Sequence, residues 1–128
     1  MTASVFPVLE RLRDALGAVS GVRTARIGIE ANMTADDYPM VRIVPQAIRN
    51  GQTGQTRQVE ALVYFGQPIH EFTTTLEGEW QSLLAMEATL LQAAFGAPGM
   101  AVEYLDTITD DDRVDGYKLV ALHLMVDG

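Results

Sequence analysis

The sequence predicts one α+β domain, residues 1–128, built as a mainly antiparallel sheet of four to five strands with two helices packed on one face. Three observations predict it. Two stretches space their apolar residues three and four apart, as helices do, and several others alternate apolar with polar, as half-buried strands do. The order along the chain is α-β-β-β-α-β-β, and 128 residues suit a single core.

The first helix covers residues 4–17. Val5, Val8, Leu9, Leu12 and Leu16 fall on one face, with Glu10, Arg11, Arg13 and Asp14 on the other. Ser4 can cap it, Pro7 fits a first turn, and Gly17 or Gly21 can end it. Residues 22–29 then alternate, with Ala25, Ile27 and Ile29 opposite Arg26 and Gly28. After a polar loop at 30–39, a second strand begins at Met40, placing Val41 and Ile43 inward and Arg42 outward. Pro45 donates no ladder hydrogen bond, so this strand lies at an edge or bulges there.

Residues 49–57, Arg-Asn-Gly-Gln-Thr-Gly-Gln-Thr-Arg, are polar and glycine-rich between two strand patterns, and predict a hairpin tip. In the return strand Val59, Ala61, Val63 and Phe65 alternate with Glu60, Leu62 and Tyr64. Leu62 and Tyr64 make the second face apolar as well, which a covering partner chain would explain. A long helix spans residues 75–95. Thr74 and Glu77 have capping-box spacing, and Leu76, Trp80, Leu83, Leu84, Leu90, Leu91 and Ala94 form a wide apolar stripe. Gly96 and Pro98 end it. A short strand at 101–107, an acidic turn, and a strand at 117–126 with Val120, Leu122, Leu124 and Val126 inward complete the chain.

Composition narrows the function. With no cysteine, there are no disulfides, thiol nucleophiles or cysteine-based zinc sites, and a reducing compartment is expected. The net charge of −8 opposes general affinity for nucleic acid or anionic membranes. The opening Met-Thr-Ala-Ser-Val-Phe-Pro has neither the basic nor the apolar region of a signal peptide, so a cytoplasmic place of folding or assembly is expected. Charge is also uneven. Residues 11–57 hold seven arginines against four acids, whereas residues 58–128 hold twelve acids against Arg113 and Lys118. Either both halves simply present solvated faces, or a basic side of one subunit meets the acidic side of the next.

The usual chemistries each fail at named positions. His70 and His123 are the only histidines, and Ser4, Ser20 and Ser82 lack the glycine-flanked turn of a nucleophile elbow, so both histidines read as ordinary surface or interface residues. A calcium loop counted from Asp111 would need an oxygen ligand at position three and a glutamate at position twelve, where Arg113 and Leu122 stand. A turn ending in Asp115-Gly116 accounts better for the cluster. No lysine or helix follows Gly51–Gly54, so it is no phosphate loop. Asp36, Asp37 and His70 are the remaining, poorly placed candidates for acid-base work, and no catalysis or cofactor is expected.

An amphipathic N-terminal helix, a strand, a long-tipped hairpin (Val41–Ile48 with Val59–Phe65), a long second helix and a terminal hairpin around Asp110–Leu119 follow one another. This arrangement resembles the tail-terminator, or tail-completion, proteins of long-tailed bacteriophages over nearly the whole chain. The resemblance implies a non-catalytic subunit of the virion neck, assembled in the host cytoplasm. It implies a homo-oligomeric ring, usually a hexamer, that caps the tail tube protein, ends its polymerisation and joins it to the head-tail connector. No membrane and no sequence-specific nucleic acid is implied, and an acidic lumen that passes DNA suits the charge. By position, Arg42, Arg49, Asn50, Gln52, Thr53, Gln55, Arg57, Leu62 and Tyr64 are the candidates for subunit or tube contacts. A head-completion (stopper) protein or other neck component fits the same features. From another class, so does a small-ligand-binding or regulatory α+β module, which requires a concave apolar pocket.

Overall fold

The computed structural model describes residues 4–28, 40–50, 57–68, 76–109 and 117–127. Its elements are α1 (Phe6–Gly17), β1 (Thr24–Ile27), β2 (Met40–Asn50), β3 (Arg57–Pro68), α2 (Leu76–Phe95), β4 (Ala101–Thr109) and β5 (Tyr117–Asp127). The strands form one sheet in the order β1-β2-β3-β5-β4. This is the expected α+β architecture in the expected element order, with one qualification. β1 pairs with β2 in parallel, Thr24 beside Met40 through Ile27 beside Ile43, so the sheet is mixed. The other three pairings are antiparallel. A tight hairpin can join only antiparallel neighbours, and β1 and β2 are separated by residues 28–39, long enough for the chain to return and run the same way.

Both helices lie on one face. Leu9, Leu12 and Leu16 of α1 and Leu83, Leu90 and Ala94 of α2 join one buried cluster with Val41 and Ile43, with Val59, Ala61, Val63 and Phe65, and with Val120, Leu122, Leu124 and Val126. These are the residues the period-two pattern points inward. β-Branched and aromatic side chains suit this pleated, covered surface. Val5, not Ser4, holds the N-cap position of α1 and gives no side-chain cap; Ser4, one residue earlier, still takes up one free amide, its hydroxyl accepting from the Phe6 N–H at 3.1 Å. At the other end a Cβ on Gly17 would meet that of Ala25 at 3.2 Å, so the glycine lets α1 approach β1 closely.

Leu84 departs from the expected stripe of α2: it is 46% exposed. Neighbouring helical residues point about 100° apart, and a helix resting on a sheet buries one side only, so Leu83 takes the inward place. The hairpin ladder also runs further than its polarity suggested. Arg49 pairs with Gln58 and Asn50 with Arg57, which confines the tip to residues 51–56. Backbone pairing extends through polar residues because its hydrogen bonds do not depend on the side chains. The register shifts between Pro45 and Ala47, the bulge anticipated from the proline. A second shift falls between Tyr104 and Asp106 in β4.

The tip residues Gln52, Thr53 and Gln55 lie outside the described residues, as do Ile29, Asp36, Asp37, His70, Thr74 and the acidic turn at 110–116.

Candidate functional site

The face of the sheet turned away from the helices is built by register. Four cross-strand rows occupy it: Arg42, Tyr64, Ala121 and Ile108; Val44, Leu62, His123 and Asp106; Ala47, Glu60, Met125 and Glu103; and Arg49, Gln58, Asp127 and Ala101. Leu62 and Tyr64 are half-exposed here, and no described helix crosses them. Arg42, Arg49, Leu62 and Tyr64 therefore share one surface, whereas Asn50 and Arg57 pair in the next row and face the other way.

A chain of charges crosses that surface on four strands. Glu60 of β3 accepts from Arg49 of β2, with Nη2 at 2.9 Å and Nε at 3.2 Å from Oε2. Its other oxygen, Oε1, lies 2.7 Å from Nε2 of His123 on β5. His123 Nδ1 lies 3.3 Å from Asp106 Oδ1 on β4. The line has an arginine at one end and an aspartate at the other, and the inner members are the more covered. Side-chain exposure is 12% for Glu60 and 17% for His123, against 60% for both Arg49 and Asp106.

Arg49's hydrogen bonds, and then that from His123, hold the Glu60 carboxyl below the usual glutamate range, against a smaller opposing pull from partial burial. A neutral imidazole has one donor and one acceptor, so only the protonated ring of His123 can donate to both carboxylates at once.

Both ring nitrogens of His123 face carboxylates, leaving neither to act as base toward a hydroxyl. His123 stands between its two acids, so the three do not converge on one point. Among the described residues no group of three such side chains is placed to hold a metal ion. No described helix is long and apolar enough to cross a membrane.

Reading the sequence identified Leu62 and Tyr64 as an unusual second face but passed over Glu60, His123 and Asp106. Alternation does place His123 on the side opposite Leu122 and Leu124 and Glu60 on the side of Leu62. It cannot say that the two meet, because they are 63 residues apart and come together only through the register of β3 on β5.

No protein-family model and no curated protein sequence matches this chain. Its fold is similar to that of a chain in a solved structure, the virion of a native gene transfer agent (GTA) particle. The TM-score is 0.57 at 16% identity, over 94% of this chain and 92% of that one.

Proposed function

We propose that this protein is a non-catalytic structural subunit of a phage-like virion. In this reading it forms a ring, hexameric in the simplest case, at the junction of head and tail. The ring caps the tail tube, ends its polymerisation and joins it to the connector. The observation that carries the reading is the open sheet face: half-exposed apolar side chains crossed by an ordered line of charge, suited to covering by another protein. The fold shared along nearly the whole chain with part of a gene transfer agent virion supports it. So does the element order that resembles tail terminators.

Within this role Arg42, Arg49, Asn50, Gln52, Thr53, Gln55, Arg57, Leu62 and Tyr64 contribute to contacts with neighbouring subunits or the tube. The test is to add the purified protein to polymerising tail tube protein from the same genome. Negative-stain images should show a density capping one end of each tube, with a shorter length distribution. Tubes that keep growing with bare ends would overturn the terminator role. Binding to isolated connectors but not to tubes would favour a head-completion protein instead.

A further inference from the structure

We infer that the sheet continues edge to edge into a second copy of the same chain, added head to tail, with the outer edge of β4 in one copy against the outer edge of β2, residues 44–50, in the next, which leaves Leu62 and Tyr64 of β3 on the open face for a different partner. The inference deepens the ring reading above and rests on it for its biological setting.

The two edges are open in a matching way. Among the described residues β4 is the last strand of the sheet along its whole length. On the opposite side β1 covers β2 only as far as Ile27 beside Ile43, and among the described residues no strand lies outside 44–50. Three successive antiparallel pairings lead from β2 to β4, so these two run in opposite directions. A copy displaced along the sheet therefore sets its β2 antiparallel to the first copy's β4, with both open faces on one side.

Charge selects this arrangement over its rivals. On the open face β4 carries Glu103 and Asp106, while β2 carries Arg49. A two-fold pairing of β4 with β4 would set Glu103 against Asp106, acid to acid, and one of β2 with β2 would set Arg49 against Val44 and leave it without an acid. Only the heterologous pairing brings the unlike edges together, and such pairings close into rings or continue as filaments. It also extends the existing line of charge. Arg49, Glu60, His123 and Asp106 stand in line, with an exposed cation, Arg49, at one end and an exposed acid, Asp106, at the other, so the next copy's Arg49 continues the series. Without stagger, Arg49 of one copy sits diagonal to Glu103 of the other; a shift by one row puts them directly opposite. On the helix side of the same seam, exposed apolar side chains line both edges, with Ile48 on β2 and Tyr104 on β4.

The absence of cysteine from the chain makes the test direct. The double variant Arg49→Cys/Glu103→Cys is oxidised with and without tail tubes and run on a non-reducing gel. Head-to-tail pairing gives a reducible ladder of trimers and larger species, whereas Arg49→Cys or Glu103→Cys alone stays a monomer. Single variants that dimerise as well as the double variant, or no ladder in either condition, would overturn the inference. A second route keeps the charges in play. Arg49→Glu and Glu103→Arg should each weaken association about tenfold or more, and an equimolar mixture should restore it. Circular dichroism first establishes that each variant is folded. Mixing without restoration also counts against the pairing. Capping of tubes by the wild type is scored separately, so the neck role can survive the loss of this interface, and the interface the loss of that role.

Discussion

Truncating Leu122 and Leu62 to alanine, one at a time, separates the two faces of the sheet with identical chemistry. Leu122 on β5 is wholly buried beneath the helices, beside Val63, while Leu62 on β3 pairs with His123 on the open side. Removing three fully buried carbons costs roughly 2 kcal/mol in transfer energy, and the cavity left behind raises Leu122→Ala to about 3 kcal/mol. Leu62 keeps part of its surface in solvent and leaves no enclosed cavity, so Leu62→Ala should cost roughly 1 kcal/mol. With an m-value of about 2 kcal/mol/M, the urea midpoints should fall by about 1.5 M and about 0.5 M. The measurement is made at low protein concentration and repeated at high concentration. Edge-to-edge association leaves Leu62 uncovered, so neither penalty should change with the concentration of this protein, whereas added tube protein that covers the open face should raise the penalty at Leu62 and not at Leu122. Equal losses at both sites under dilute conditions would refute the one-sided sheet.

Three further outcomes follow from the same geometry. Phe65→Ala, at the buried centre of β3 between Val41 and Val120, should cost about 3–5 kcal/mol, read as a loss of thermal midpoint of roughly 10 °C or more. Gly28→Ala should cost about 1–2 kcal/mol in urea titration, because Gly28 has φ +98° as its N–H reaches Ile43 O at 2.7 Å; Gly96→Ala, whose new Cβ meets only ordinary contacts, should stay within about 0.5 kcal/mol. Glu60 has a carboxyl held below its ordinary range in the fold, so its contribution is complete above the unfolded-state pKa and fades as pH falls through the folded one; the wild type's advantage over Glu60→Gln, read from urea midpoints, should be full at neutral pH and shrink with acid, and an advantage that grows with acid would contradict the network.

The elements were legible because they depend on local pattern. Val41 and Ile43, or Val120 to Val126, declare an inward face by period two, and Leu9, Leu12 and Leu16 by period 3.6. Pro45 marked its own bulge through a missing donor. What the pattern could not carry was the relation between distant segments. Nothing local makes β1 run parallel to β2, or inserts β5 between β3 and β4. Those choices are settled by which covered faces can share one pair of helices.

The same distinction explains why the open face was half visible. Leu62 and Tyr64 advertise themselves, being apolar where a solvated strand would be polar. Glu60, His123 and Asp106 look like ordinary polar residues one strand at a time. Their order in the sheet makes them, with Arg49, a line of hydrogen-bonded polar groups with a cation at one end and an anion at the other. Such a line gives the sheet a direction. A symmetric pairing would set like ends together, whereas translation sets unlike ends together, so the register of β3 on β5 also bears on how copies add to one another. The unevenness of charge along the chain is carried in part onto this surface: Arg42 and Arg49 of β2 lie on one side of it, Glu103 and Asp106 of β4 on the other.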